Sequence, residues 1–387
     1  MFARRHILVG FGITALAALA ALYIIPGRNI GHPSLPAEVS DTDFWKIITE
    51  FSEAGGYFRS DNFVSNESAF QHVIPDLKKQ IKPGGVYLGV GPDQNFTYIA
   101  AIRPELAFIT DIRRQNMLQH LMYKALFELS DTRAEFLSKL FARPIDLATS
   151  KTLDTEGLFD VLRNTSPDSD LARENLAAIL SRLREEHHFG LAVDDSKNIE
   201  FVYNAFVAGG PEIRYSYPNQ YAWRRFPSYW ELMLENDGTG ENGGGENHSY
   251  MASDENFRLI KRLESENRII PIVGDFAGEK ALRSVGRYLI QHGSTVSAFY
   301  TSNVEFYLFQ TEDWKKFFNN VAALPVGNDS LFIRSYFNNY GSQFPNASGS
   351  VYSPASYTFL DSMPGILAAF QAGRIHAYFD VIRRSTP

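Results

Sequence analysis

The segment 84–111 constrains the fold of this 387-residue sequence more than any other stretch. It begins with a short apolar run, which leads into a turn marked by Gly89 and Gly91. A helical pattern follows over 94–102, and a second apolar run ends at Asp111. This order of strand, turn, helix and strand predicts a βαβ unit, the element from which parallel sheets are built. We therefore predict an α/β fold with a mostly parallel sheet and helices on both faces.

The positions of the glycines and the acid in this unit indicate a nucleoside-binding site. Glycines let the backbone approach a ligand, and the start of the following helix offers free N–H groups. Asp111 lies 22 positions after Gly89, near the spacing of ~20 residues at which an acid binds a ribose hydroxyl. The third glycine of a dinucleotide motif is missing, which favours a Rossmann-like site for S-adenosylmethionine over one for NAD. Alternatively, Asp111 caps the next helix through the backbone N–H groups of Arg113 and Arg114.

Composition and missing motifs exclude several classes of site. The chain contains no cysteine, so disulfides, thiolate metal sites and cysteine nucleophiles are ruled out. A formal net charge of −7 argues against non-specific binding to nucleic acid. His187 and His188 are adjacent instead of four residues apart, which is a poor arrangement for a metal. Motifs of the Gly-x-Ser-x-Gly and Walker types are absent. We predict no metal and no nucleic-acid partner.

The N-terminus predicts a membrane-associated leader. Arg4 and Arg5 precede an uncharged apolar run at 7–26, which is about long enough to span a bilayer. Residues 1–28 are therefore either a transmembrane anchor or a cleaved signal peptide. In both cases the two arginines stay in the cytoplasm, because positive charge is retained on that side. The globular part is predicted to be extracytoplasmic, in the periplasm.

The remaining chain divides into a linker and one large domain. A proline-containing linker at 29–40 leads to a Rossmann-like domain that spans 41–387. After the second strand, we predict a long and mostly helical insertion at about 131–250, with one strand at 199–207. Regular α/β order resumes after the insertion, with apolar strands at 269–273, 295–300 and 330–337.

The ends of the predicted strands carry the residues on which a family resemblance rests. In order, these ends are Gly89-Val-Gly91, Asp111, Gly274-Asp275 and the segment from Tyr300 to Glu305. In this pattern the chain resembles the class I S-adenosylmethionine-dependent methyltransferases. It is also similar to an uncharacterised bacterial family of methyltransferase-like proteins. The resemblance covers most of the chain after residue 40 and implies the methyltransferase fold; together with the leader it predicts a membrane-associated protein of this fold.

The resemblance assigns cofactor-binding roles around the glycine turn. It implies that Gly89 and Gly91 pass under the methionine part of S-adenosylmethionine. Asp93 and Asn95, at the start of the next helix, would lie close to the same part of the cofactor. Asp111 would hold the ribose hydroxyls.

The resemblance also assigns roles at the later strand ends. Asp275 would contact the adenine amine, and Phe276 would pack beside the ring. Tyr300, Asn303 and Glu305 would lie where many such enzymes keep a catalytic or substrate-orienting residue. Glu305 follows an apolar run, so its carboxylate needs a partner or a raised pKa, and the alternative is an ion pair with a structural arginine.

Two departures from the family pattern limit what the resemblance implies. The Asn-Pro-Pro-Tyr or Asp-Pro-Pro-Tyr motif of amino-methyltransferases is absent. The C-terminus is also short of the usual closing β-hairpin, so the far sheet edge is not predicted.

Two hypotheses of function follow from these residues. The first is an S-adenosylmethionine-dependent methyltransferase that acts on a small-molecule or envelope substrate. The alternative is a non-catalytic Rossmann-like module of the cell envelope, which binds a ligand or partner through the same cleft. Both predict a small-molecule ligand, and neither predicts an oligomeric state.

Overall fold

A six-stranded sheet forms the centre of the protein. The computed structural model describes residues 34–216, 226–337 and 356–382. Within them the strand order is β3-β2-β1-β4-β5-β6, in which the first five strands are parallel and β6 is antiparallel to β5. The strands are β1 (Val86–Gly89), β2 (Leu106–Asp111), β3 (Ile269–Val273), β4 (Val296–Ser302), β5 (Val326–Phe337) and β6 (Ser356–Ser362).

The parallel strands form because their residues are apolar on both faces. Every residue of β1, β2 and β3 is buried, as expected for central strands of a parallel sheet covered by helices on both sides. The prediction of a mostly parallel α/β sheet is thus confirmed. The edge strand β6 was not predicted, because its sequence Ser-Tyr-Thr-Phe-Leu-Asp-Ser is half polar and follows a loop-like segment.

Helices surround the sheet and contain more of the described residues than the strands do. The described helices are α1 (Asp41–Phe51), α2 (Ile74–Gln80), α3 (Gln94–Ile102), α4 (Arg114–Glu128), α5 (Arg133–Phe141), α6 (Leu147–Ser150), α7 (Thr155–Asn164), α8 (Ser169–Ser181), α9 (Val193–Gly209), α10 (Tyr229–Leu234), α11 (Asp254–Ser265), α12 (Ala281–Gln291), α13 (Val304–Gln310), α14 (Trp314–Ala322), α15 (Met363–Gln371) and α16 (Tyr378–Ile382).

Adjacent residues of β4 show that helices cover both faces of the sheet. The ring of Phe299 packs against Phe317 of α14, with 6.2 Å between ring centroids. The next residue, Tyr300, packs instead against Tyr98 of α3, at 5.1 Å. Successive side chains of a strand point to opposite faces, so α14 and α3 lie on opposite sides of the sheet.

The regular elements between β2 and β3 in the described residues are helices, apart from an isolated β-bridge between Arg214 and Ser228. The strand predicted at 199–207 is wrong, because these residues belong to α9. The buried side chains in that region are Ile199, Val202, Tyr203 and Phe206, which follow the spacing of one helical face and not the alternation of a strand. Phe206 packs against Tyr123 of α4 at 5.9 Å, so this part of the chain shares a core with the βαβ unit.

The predicted leader lies outside the described residues. This applies to the apolar run 7–26, to the whole of 1–28 and to the first part of the linker. In the part of the chain that the structure does describe, no helix combines the length and apolar character needed to cross a membrane. The leader stays a prediction.

His187 joins three parts of the fold through two carboxylates. Its Nδ1 lies 2.9 Å from Asp41 at the start of α1, and its Nε2 lies 2.7 Å from Glu128 at the end of α4. Burial lowers the pKa of His187, but the hydrogen bonds to Glu128 and Asp41 outweigh this and raise it above 6.5. Lys124 acts in the opposite direction. Only the imidazolium can donate to both acids at once.

We expect replacement of His187 by Asn to remove a pH-dependent part of the stability. A raised folded-state pKa means that this stability is fully present below the unfolded pKa, about 6.5, and is lost as pH rises through the folded pKa. Loss of the charged hydrogen bonds should cost about 1.5–3 kcal/mol near pH 6, and less at pH 8.5. Urea unfolding between pH 5.5 and 8.5 would measure this.

The matched control is the same change at His188, whose side chain is exposed and has no hydrogen-bond partner among the described residues. It should keep the wild-type pH profile. If the His187→Asn protein also keeps that profile, the hydrogen bonds of His187 to Asp41 and Glu128 do not provide pH-dependent stability.

Candidate functional site

A cleft opens where the carboxyl ends of the parallel strands meet. It has a volume of about 460 Å³ and is lined from the segments 57–67, 90–92, 110–113, 274–276 and 300–313. These segments follow β1, β2, β3 and β4 or precede α2. The chain leaves β1 toward β2 on one side and β4 lies on the other, so the cleft lies at the topological switch point of the sheet. Ligands of open α/β sheets bind at this point.

The glycine turn after β1 is fixed from below by Asn95. Its Nδ2 donates to the carbonyls of Val90 and Pro92 at 2.9 and 2.6 Å, and its Oδ1 accepts from Tyr87 Oη at 2.8 Å. A Cβ at Gly89 would lie 1.9 Å from that Oδ1, so residue 89 must be glycine. Asn95 and Gly89 thus shape the turn without lining the cleft.

Gly91 is the member of the turn that faces the cleft. Its φ of +78° lies in the left-handed region, which L-residues with a side chain seldom adopt. A Cβ added there would have Nδ2 of Asn62, at 3.7 Å, as its nearest described neighbour. The backbone of Gly91 therefore borders open space, as close approach of a ligand requires.

Asp93 lies beneath the turn and contacts the helical segment between β2 and β3. Its Oδ2 accepts from Tyr250 Oη at 2.8 Å, and Tyr250 Oη lies 2.5 Å from Tyr229 Oη. Burial raises the pKa of Asp93 to about 7. Because its carboxyl group is buried in this tyrosine network and does not line the cleft, the structure gives Asp93 no direct contact with a ligand there.

Asp111 lines the cleft and is paired with Arg113. Oδ1 accepts from the backbone N and from Nε of Arg113, both at 2.9 Å, and Oδ2 accepts from Nη2 at 2.8 Å. The alternative prediction was that Asp111 caps the next helix through the amides of Arg113 and Arg114. Of these two bonds the structure has the one from Arg113, and α4 has no hydrogen bond from a side-chain cap. Three of about four acceptor positions of the carboxylate are occupied, which leaves one for a ligand.

Asp275 and Phe276 form the wall of the cleft after β3. Asp275 Oδ1 accepts from the backbone N of Ala277 at 2.8 Å, which closes a tight turn. Phe276 packs against Phe299 and Phe317, with centroid distances of 5.0 and 5.7 Å. Glu53 holds this turn from outside by accepting from the backbone N of Ala281 at 2.7 Å and from Asp275 and Lys280.

Tyr300 and Asn303 line the cleft, but Glu305 does not. Glu305 Oε1 accepts from Arg334 Nη2 at 3.0 Å, and Arg334 Nη1 donates to Asp361 at 2.7 Å. All three side chains are at most 5% exposed. Burial raises the pKa of Glu305, and Arg334 opposes that rise. The structure thus places Glu305 in the alternative that the sequence left open, an ion pair with a structural arginine.

Glu67 is a cleft residue that sequence reasoning missed. Its side chain is 1% exposed, and it borders the cleft at the β4 side. Its two oxygens accept hydrogen bonds from four neutral side chains, namely Tyr300 (2.9 Å), Ser302, Gln94 (2.9 Å) and Ser335 (2.6 Å). No motif marks Glu67, because these donors come from α3, β4 and β5 and lie 27 to 268 positions away.

The structure therefore divides the predicted site residues into two groups. Those that line one cleft are Gly91, Asp111, Asp275, Phe276, Tyr300 and Asn303. Those that support it from beneath or lie elsewhere are Gly89, Asp93, Asn95 and Glu305. The segment 57–62 contributes Tyr57, Phe58, Arg59 and Asn62 to the lining.

One group of side chains in the described residues has the geometry to bind a metal. The ligand atoms of Asp237, Glu246 and His248 lie within 4.8 Å of one another. Asp237 Oδ2 already accepts from His248 Nε2 at 2.9 Å. None of the three lines the cleft, so this group is separate from the candidate site.

The strand order and the cleft define a doubly wound α/β protein with a cleft at its switch point. Residues 62–155 and 230–361 match the model of a family described as a domain of unknown function, DUF7790, and the chain belongs to that family. No curated protein matches the sequence.

Among solved structures, the chain is similar to the rRNA methyltransferase aviRa from Streptomyces viridochromogenes. The identity is 10%, the TM-score is 0.32, and the match covers 87% of this chain and 99% of that one. At this level the likeness carries no functional argument.

We expect replacement of Arg334 by Met to destabilise the protein by about 3–5 kcal/mol at pH 8, because it leaves two buried carboxylates without a partner. The deficit should shrink at pH 5. Burial already raises the pKa of Glu305. A carboxyl group with a raised folded-state pKa contributes stability that is fully present below its unfolded pKa and is lost as pH rises through its folded pKa, so most of this loss is still absent at pH 5. Urea unfolding at the two pH values measures both effects.

The matched control is Arg258→Met, which removes an exposed ion pair with Asp254 and should change stability by no more than about 0.5 kcal/mol. An equally small effect at Arg334 would contradict a structural role for the buried pair.

Proposed function

We propose that this protein binds S-adenosylmethionine in the cleft and transfers its methyl group to a small-molecule acceptor. The observation that carries the proposal is the position of Gly91, Asp111 and Asp275, which stand at the ends of three neighbouring strands and line one cleft. A nucleoside requires this combination of a turn without a side chain and carboxylates that accept hydrogen bonds.

The nucleoside half of the ligand belongs on the β2 and β3 side of the cleft. Asp111 has one acceptor position left for a ribose hydroxyl, beside its bonds to Arg113. Asp275 uses only Oδ1 within the described residues, so its Oδ2 remains available for the adenine amine. The apolar ring of Phe276 borders the same space. These groups fit an adenosine better than a charged headgroup.

The acceptor belongs on the β4 side, among Tyr300, Asn303 and Tyr307. When bound, S-adenosylmethionine supplies an electrophilic methyl group. The residues of the chain then have to hold a nucleophile in line with it, and this positioning is the main source of rate enhancement. A general base is needed only when the nucleophile keeps its proton. We propose that Asn303, which is half-buried at the end of β4, orients the acceptor.

A second candidate function is ligand binding without catalysis. It is favoured by the state of two residues expected to act on a substrate: Glu305 is sequestered by Arg334, and the hydroxyl of Tyr300 donates to Glu67. Recovery of S-adenosylhomocysteine after incubation of the protein with S-adenosylmethionine and a small-molecule cell extract would favour the methyltransferase. Binding with no turnover would favour the second candidate.

We further propose that the leader at 7–26 directs the domain to the extracytoplasmic side of a membrane. The support is the order of Arg4, Arg5 and the apolar run. S-adenosylmethionine is made in the cytoplasm, so export would strengthen the second candidate. A reporter fused after Pro387 that is active only in the cytoplasm would test this, and activity there would overturn the proposed location.

We expect Gly91→Ala to weaken binding of S-adenosylhomocysteine at least tenfold, about 1.4 kcal/mol, because the added methyl group enters the space that the ligand occupies. Isothermal titration calorimetry on the full-length protein would measure this, with S-adenosylmethionine as a second ligand.

The matched control is Gly373→Ala. Gly373 also has a left-handed φ, +65°, and a Cβ there would meet no described atom within 4 Å. Both variants should lose about 1–2 kcal/mol of stability to backbone strain, but Gly373→Ala should bind as the wild type does. If folded wild-type protein releases no heat with S-adenosylmethionine and none with S-adenosylhomocysteine, the proposed function is refuted.

A further inference from the structure

Glu67 is a buried acid in the cleft for which the described residues supply no cation. Among the described residues no Lys, Arg or His lies within ion-pair distance of its carboxylate, and all four of its hydrogen-bond donors are neutral. Arg113, which also lines the cleft, is bound to Asp111. The other acid near Glu67 is Glu235, for which burial raises the pKa to about 8.

This arrangement is unusual on energetic grounds. An ionised carboxylate that is removed from water costs several kcal/mol unless an opposite charge compensates it, and buried charges in proteins are normally paired. Four neutral hydrogen bonds replace the lost hydration of Glu67, but they leave its negative charge in place. The β4 side of the cleft therefore carries a negative potential that favours a positively charged guest.

The backbone beside Glu67 carries a second sign of a functional site. Ser302 has a φ of +51°, a left-handed conformation that costs a non-glycine residue free energy and that clusters at binding sites. In this conformation its hydroxyl donates to Glu67, and the residue lines the cleft. The four hydrogen bonds fill the acceptor positions of Glu67, so a ligand cation has to take the place of one donor. Ser302 can yield its position, because a hydroxyl group rotates freely about its C–O bond.

We propose that Glu67 binds the cationic group of the ligand, an ammonium or a sulfonium. This inference rests on the proposed function, since it assigns the part of the ligand that lies beyond the nucleoside. Asp111 and Asp275 stand on the β2 and β3 side of Gly91, whereas Glu67 contacts residues of β4 and β5. A ligand matches the cleft if its neutral nucleoside lies on the β2 and β3 side and its positive charge lies on the β4 side.

Three ligands and the isosteric variant Glu67→Gln test the proposal by calorimetry on the full-length protein at pH 7.5. S-adenosylmethionine carries both cationic groups, S-adenosylhomocysteine carries only the ammonium, and 5′-methylthioadenosine carries neither. If Glu67 binds the ammonium, the variant should lose at least tenfold in affinity for the first two ligands and less than twofold for the third. If it binds the sulfonium, only S-adenosylmethionine should be affected.

A purely structural role of Glu67 predicts a different result. The variant would then weaken all three ligands equally or none of them, and either outcome overturns the proposal while the proposed function stands. If the wild-type protein binds none of the three, both fail together. The matched control is Ser335→Ala, which removes a donor to Glu67 at a residue that does not line the cleft. It should leave the preference among the ligands unchanged.

A measurement on the wild-type protein covers the case in which Glu67→Gln does not fold. S-adenosylhomocysteine should bind at least tenfold more tightly than its desamino analogue, or S-adenosylmethionine at least tenfold more tightly than S-adenosylhomocysteine. Equal affinity for S-adenosylmethionine, S-adenosylhomocysteine and the desamino analogue would overturn the proposal.

Discussion

The ion pair between Asp111 and Arg113 joins the sheet to the segment that borders the cleft. Asp111 is the last residue of β2, and its carboxylate accepts hydrogen bonds from the backbone and side-chain N–H groups of Arg113. The same guanidinium donates to the carbonyl of Asp61 and so holds 57–67 over the strand ends. Because Glu67 belongs to that segment, the pair that closes one side of the cleft also fixes the acid on the other. The segment 57–67 therefore connects the two sides of the candidate site.

The part of the fold that the sequence predicted is the part encoded by local patterns. The glycine turn and the apolar strands depend on residues close in the chain, and the predicted βαβ unit has its elements within a residue of those observed. A strand was predicted at 199–207 because its β-branched and aromatic residues favour strands. In the structure the segment is helical, because burial against α4 requires its apolar residues on one helical face. The edge strand β6 depends on pairing with β5 and has no strong pattern of its own.

The candidate site could likewise be predicted only where a local pattern marks its residues. Solvation energy alone required a partner or a raised pKa for Glu305, but only the fold could reveal that Arg334 supplies the partner. Glu67 is the converse case, because nothing near it in sequence distinguishes it from any polar loop residue. Its significance arises when the fold brings Ser335, 268 positions away, into contact with it. Residues whose roles arise from long-range contacts cannot be recognised from spacing.

The tyrosine network under the turn connects the two parts of the chain that match the family model. Asp93 and its partner Tyr250 both fall within the residues that match the family model, whereas 156–229 does not. The hydrogen bond between them therefore joins the two matched parts of the chain directly beneath the cleft, and the residues 156–229 between those parts are not needed to make this connection.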